Sequence, residues 1–283
     1  MHRLLRVAAS VALLFILPVI SQAQYTNLKI QSRNEIAVRA FKAGNEASKA
    51  GNYDRAIAAY EEGLNTARDE PALLTNLSEA LRRRGAVRFD KFINNKDESA
   101  KEAAYRDWRR AADAANEALV IMGAGATDQH RTQNKLAAHK ARAAAMKFVG
   151  TKVDRSQADA AFMSYQEYIA AETNAAKKSS AQFDAANIFF EVESYDRAAA
   201  EFRKTLDAYP TNTDAHFKLG SALIKTGDKS KYQEAANHLA RFREIAPATN
   251  PLQAEAKSLL QLLNEKENIK PSKVETPRTG RRG

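Results

Sequence analysis

Five histidines stand at positions 2, 130, 139, 216 and 238, and histidine is the side chain best suited to proton transfer or metal ligation near neutral pH. His130 and His139 lie nine positions apart, whereas two ligands on one helical face need a spacing of three or four, and no His-Glu-x-x-His occurs. The stretch GAGATDQH, residues 123–130, places Gly-x-Gly ahead of a helix. No strand pattern precedes it and no Gly-Lys-Ser/Thr follows, so it reads as a loop with a helix cap, not a phosphate cradle. Carboxylates such as Glu61 and Glu62 read as ordinary solvated helix residues, and no nucleophile, base and acid form a constellation. The chain has no cysteine, which excludes disulfides, thiolate metal sites and cysteine nucleophiles. These residues point away from an enzyme, and no cofactor or metal is expected.

Charge is the other source of chemistry. The 283 residues carry a formal net charge of +10. RRRGAVRFDK, residues 82–91, holds five positive charges and one negative, and residues 131–155 hold seven positive charges against Asp154 alone. Arg131, Lys135, His139 and Arg142 recur at spacings of four, four and three, one face of a helix. Arg82, Arg83, Arg84, Arg131, Lys135 and Arg142 therefore form a candidate patch for an anionic partner: acidic peptide, envelope polymer, lipid surface or nucleic acid. The competing reading is a solvated face on a basic protein. Nucleic acid is not expected, because no aromatic platform is interleaved with these charges.

The first 23 residues have the layout of a secretory signal: His2, Arg3 and Arg6, an apolar run over 7–20 that Pro18 interrupts, then Ser21-Gln22-Ala23. The run is too short to cross a bilayer core of ~30 Å comfortably. Cleavage after Ala23 would remove two arginines and leave a charge of +8, with no later segment apolar enough to span a membrane. The expected location is the bacterial periplasm or the exterior.

The elements that must position any site are helices. Ala, Lys, Arg, Glu and Gln are common and Gly and Pro scarce, with 44% apolar residues to build a core. The phrase Tyr-Asp-Arg-Ala appears at 53–56 and again at 195–198, each time followed by an aromatic (Tyr60, Phe202) and a leucine (Leu64, Leu206) at intervals of four. Before the first copy, Phe41, Ala43, Gly44 and Ala47 recur at helical spacing, Gly51-Asn52 interrupts, and Pro71 closes the unit. The same skeleton runs through Phe217, Leu219, Gly220 and Leu223, then Gly227, then Tyr232, Ala235 and Leu239, to Pro247. Pro71, Pro210, Pro247 and Pro251 all fall between the helices so drawn.

This pattern resembles the tetratricopeptide repeat family, a 34-residue helix–turn–helix unit. It is carried by Gly44, Tyr53, Ala56 and Tyr60; by Ala186, Tyr195, Ala198, Phe202 and Pro210; and by Leu219, Gly220, Tyr232, Ala235 and Pro247. One hairpin cannot bury its apolar face alone, so copies must stack. The resemblance implies an all-α solenoid of about five hairpins over 34–266, after a lead at 24–33. A helix over 251–266 caps it, and 267–283 form a disordered basic tail. Residues 72–119 and 127–173 are degenerate copies, with one long helix over 72–92 and the next opening at Ser99 and Glu102 as a capping box. In that register His216 takes a first-helix place usually held by a core aromatic and reads as a packed histidine.

The resemblance further implies that the first helix of each hairpin lines a concave groove for an extended peptide or partner helix. The groove positions are Phe41, Asn45 and Lys49; Thr75, Glu79 and Arg82; Phe183, Asn187 and Phe190; and Phe217, Ser221 and Ile224. Asn45 and Asn76 could sit in the places of the family's carboxylate clamp, but Phe41 stands where that clamp needs lysine, so the clamp is not carried over. The expected function is a secreted or periplasmic scaffold for protein–protein interaction. The alternative is an envelope-associated binder of anionic polymers or lipids through the basic central helices.

Overall fold

The computed structural model describes residues 28–123 and 129–272. The signal, the first residues of the lead, the end of the basic tail and most of GAGATDQH lie outside the described residues. Among the described residues every regular element is helical.

Among the described residues ten of eleven α-helices run in antiparallel pairs: α1 Glu35–Lys49 with α2 Tyr53–Thr66, α3 Pro71–Asn95 with α4 Glu98–Met122, α5 Gln129–Phe148 with α6 Ala158–Ala171, α7 Ala175–Glu191 with α8 Tyr195–Ala208, and α9 Thr213–Lys225 with α10 Tyr232–Ile245. The last, α11 Gln253–Glu267, packs on α10 as the expected cap. Each second helix also packs on the next first helix, and first helices touch one another along the stack, α1 on α3, α3 on α5 and α7 on α9. The core is a relay with no central mass. One apolar cluster runs from α1 to α5, a second from α5 to α7, a third from α7 to α11, and Met146, Phe162 and Val192 join them.

The recurring contact is a small residue in a first helix meeting a large one in the second. A Cβ on Gly44 would lie 2.3 Å from the ring of Tyr60, and one on Gly220 would lie 2.7 Å from Leu239. A large side chain of the second helix thus seals these hairpins from inside. The second hairpin keeps this device in altered form: Gly85 faces Trp108, whose fully buried indole donates to the Arg82 carbonyl at 3.1 Å and stacks on Phe148 at 4.5 Å. Gly85 precedes Trp108 by 23 positions where Gly44 precedes Tyr60 by 16. The difference of seven is about two helical turns, one part of the extra length of α3 and α4.

Caps explain the boundaries. Asn34, Asn52, Asn174 and Asn212 accept backbone N–H groups at the starts of α1, α2, α7 and α9. Glu70 is 3% exposed and serves twice: it caps α3 and accepts the N–H groups of Gln31 and Ser32, tying the lead to the first loop between hairpins. Two sequence expectations are corrected here. Pro71 is the first residue of α3, where its missing N–H costs nothing. Ser99 does not cap α4. Asp97 does, accepting from Ala100 at 3.1 Å, while the Ser99 hydroxyl donates to the same carboxylate. Past α11, Ile269 packs on the core and Ser272 donates its N–H to Asn237 at 2.8 Å. No helix among the described residues is long and apolar enough to cross a membrane.

Candidate binding face on the first helices

The first helices bring polar and charged side chains from successive hairpins onto one face. At its N-terminal end Asn45 accepts two hydrogen bonds, from the Tyr60 hydroxyl at 2.8 Å and from Asn76 Nδ2 at 2.7 Å. The two asparagines singled out in the sequence thus satisfy each other. One helical turn beyond Asn76, Glu79 takes a bidentate bond from Arg82 at 2.8 and 2.9 Å and another from Arg83 at 2.6 Å. Burial alone would raise the Glu79 carboxyl, but the two guanidinium groups hold it down to about 2.

The middle of the face is built by the join between α5 and α6. Residues Val149–Val153 form a π-helical turn, with Gly150 pressed against Ala161. Lys147 just before this turn and Lys152 within it both reach α7: Lys147 pairs with Asp184 at 2.7 Å and Lys152 with Glu191 at 2.8 Å. Burial opposes ionisation of Glu191, and Lys147 and Lys152 outweigh it, so its carboxyl stays below the usual range. Tyr165, buried on α6 beside these charges, has its phenol pushed up by burial and by Asp184.

At the C-terminal end the groups are less well matched. On α7, Asn187 is 9% exposed; its Nδ2 donates to Glu191 at 2.8 Å, but its buried Oδ1 has no partner. On α9, the buried Ser221 hydroxyl has none either. Between them Lys218 Nζ sits 4.2 Å from the centre of the Phe190 ring, and Lys225 lies 6.0 Å from the same ring and 5.4 Å from Tyr195. Burial, with Lys147 adding to it, pushes the Lys218 ammonium below the ordinary lysine range despite the pull of Glu191.

The residues chosen from sequence divide accordingly. Phe41, Thr75 and Phe217 are buried: Phe41 is 7% exposed and Phe217 4%, the latter against Phe242, and the Thr75 hydroxyl turns back onto the Pro71 carbonyl. The sequence pattern could not separate an aromatic lining a groove from one sealing a hairpin. Phe183, Phe190 and Ile224 are half-buried, and Lys49 is exposed at the end of α1. Lys147, Lys152, Asp184, Glu191 and Lys218 were missed. A signal existed for Lys218, which with Ser221 and Lys225 follows the helical spacing of three and four, but Lys152 sits in a π-turn that no periodicity announces.

The basic residues have partners within the chain. Arg82 and Arg83 belong to Glu79. Arg84 bridges Asp54 of α2 and the buried Asp107 of α4, which also pairs with Arg88. Arg142 pairs with Glu167 and Lys135 donates to the Gly123 carbonyl; the Arg131 side chain lies outside the described residues. The described cations of the proposed patch are thus each engaged within the chain, most of them across neighbouring helices.

His216 is packed as expected and has a partner the sequence did not reveal. It donates from Nε2 to the Pro210 carbonyl at 3.0 Å, because a carbonyl can only accept. The Nδ1 of neutral His216 must then accept, so His238 Nδ1 donates to it at 2.9 Å.

Comparison with known proteins agrees with this geometry. The tetratricopeptide repeat family model matches residues 41–87 and 183–248. MamA of Desulfovibrio magneticus RS-1, from its residue 41 to the end, superposes with a TM-score of 0.52 and 15% identity, over 77% of this chain and 99% of that one. A double mutant, MamA RS-1 ArsTM, gives the same figures. YrrB, described as a TPR protein, gives a TM-score of 0.49 and 15% identity over 78% of this chain and 92% of its own. No curated protein matches the chain.

Proposed function

We propose that the chain, whose residues 41–87 and 183–248 match the tetratricopeptide repeat model within one stack of paired helices, is a non-enzymatic scaffold holding a segment of a partner protein along a groove formed by its first helices. One observation carries this reading. On α7 and α9 two buried polar atoms, Asn187 Oδ1 and Ser221 Oγ, have no partner within the chain and flank the half-buried Phe190 and Ile224. A buried unpaired polar atom costs about 1–3 kcal/mol, and a rotamer change that turns either side chain toward a segment laid over this face would give it a partner. The residues proposed for contact are Asn45, Lys49, Glu79 and Arg82 at one end and Phe183, Asn187, Phe190, Ser221 and Ile224 at the other. The apolar shelf over Phe183 and Phe190 supplies the non-directional part of the binding.

We also propose export to the periplasm or beyond, supported by the charge and apolar pattern of the first 23 residues. The recovered protein should begin at Gln24; a chain still beginning at Met1 would refute this.

A photo-crosslinking residue tests the binding face. Placed at Phe190 it should trap a protein in the native compartment, while at Lys204, exposed on the second helix α8, it should trap little. Equal adducts at both positions, or none at 190, would remove the reading.

A further inference from the structure

Among the described residues no carboxylate lies within ion-pair distance of Lys218. Among the described residues the cluster holds Lys147, Lys152 and Lys218 against Asp184 and Glu191. Asp184 is taken by Lys147. Glu191 is taken twice, its Oε2 by Lys152 at 2.8 Å and its Oε1 by Asn187 at 2.8 Å. Asp214 and Glu255 act on Lys218 only from beyond ion-pair distance. What Lys218 has instead is the face of Phe190, which attracts a cation far less than a carboxylate does. A half-buried ammonium in that position has lost water without gaining an anion at ion-pair distance. Beside it are the unpartnered Asn187 Oδ1, which can accept a peptide N–H, and Ser221 Oγ, which can donate to a carbonyl.

We infer that the segment held on α7 and α9 carries an aspartate or glutamate whose side-chain carboxylate seats on Lys218, with its flanking peptide groups bonded to Asn187 and Ser221. This rests on the reading of the first-helix face as a peptide-binding groove and deepens it by naming the chemistry of the partner. An internal acidic side chain fits better than a chain terminus, because the face continues on both sides of Lys218, toward Lys152 on one and toward Ile224 and Lys225 on the other. The segment must run past the lysine.

A display library of random twelve-residue peptides, held at both ends so that no terminus is free, tests it. The wild-type protein should enrich peptides with Asp or Glu at a fixed distance from an apolar residue. A selected peptide should bind roughly tenfold more tightly than its Glu→Gln or Asp→Asn counterpart. Lys218→Met should shrink that ratio to within about twofold while still capturing peptides. That variant removes an uncompensated charge, so its thermal midpoint should not fall; if it does, Lys218→Gln replaces it. As a check independent of any variant, the Lys218 Cε resonance should shift when the selected peptide is added and stay still with the amide counterpart. Enrichment without an acidic position, or an acidic preference that survives loss of Lys218, overturns this inference and leaves the groove reading standing. So does capture from a matched library with free C-termini when the doubly held library yields nothing. Capture of no peptide at all overturns both.

Discussion

At Gly44 there is no room for a methyl group. The Cβ of an alanine would fall 2.3 Å from the Tyr60 ring, and that ring cannot step aside, since it is fully buried and its hydroxyl is bonded to Asn45. Overpacking of this kind costs about 1–3 kcal/mol, and replacing a helical glycine by alanine returns roughly 1 kcal/mol. Gly44→Ala should therefore lose up to about 2 kcal/mol in urea unfolding, and no loss would mean that the contact is looser than described. The histidine pair makes a second prediction at this scale. Burial, with the neighbouring His216, pushes His238 down to about 4 against the pull of Glu234. A histidine whose folded pKa lies below its unfolded value of ~6.5 leaves stability untouched above that value and drains it as pH falls toward the folded one. Unfolding free energy should decline by about 2–3 kcal/mol between pH 6.5 and 4, and His238→Phe should flatten that part of the profile. An unchanged slope would count against the pair. His216 was legible as a packed residue because it stands in a helix position reserved for core aromatics. Its partner was not, because 22 positions separate the two and only the packing of α9 on α10 joins them.

Elements in this chain are defined by their joints. The turn between helices of a hairpin uses a left-handed residue at Gly51, φ 75°, and at Gly227, φ 74°, but at the corresponding place before α8 it is Glu193, φ 66°. A residue with a Cβ is strained there by about 1–2 kcal/mol. Glu193→Gly should gain up to about 1 kcal/mol in thermal or urea unfolding, the remainder being lost to the freer unfolded chain; a destabilised variant would show that the exposed ion pair with Arg155 outweighs the strain. The repeated Tyr-Asp-Arg-Ala phrase made these turns readable. The second hairpin was harder. Its sealing pair, Gly85 and Trp108, uses a different aromatic at a longer spacing, so a search tuned to tyrosine or phenylalanine two turns closer passes over it. The π-turn at Val149–Val153 was out of reach, because five residues are too few to show a period.

At the scale of the whole molecule, five hairpins and a cap could be counted from sequence because each solves the same contact locally and adds to a relay of clusters. The network of charges could not, since Lys147 with Asp184 and Lys152 with Glu191 join residues 37 and 39 positions apart across neighbouring hairpins. The same relay explains how the face of the first helices can leave Lys218, Asn187 and Ser221 incompletely matched: each hairpin is held by its own seal and by its neighbours, so the surface between α7 and α9 need not be optimal for stability. That face as the place where a partner segment lies is the central claim. Its most direct test is amide hydrogen exchange of the chain with and without the protein trapped by crosslinking at Phe190. Binding should slow exchange in residues 183–191 and 213–225 and leave α8 and α10 near their free rates. Protection confined to α8 and α10, or spread evenly along the stack, would contradict the account.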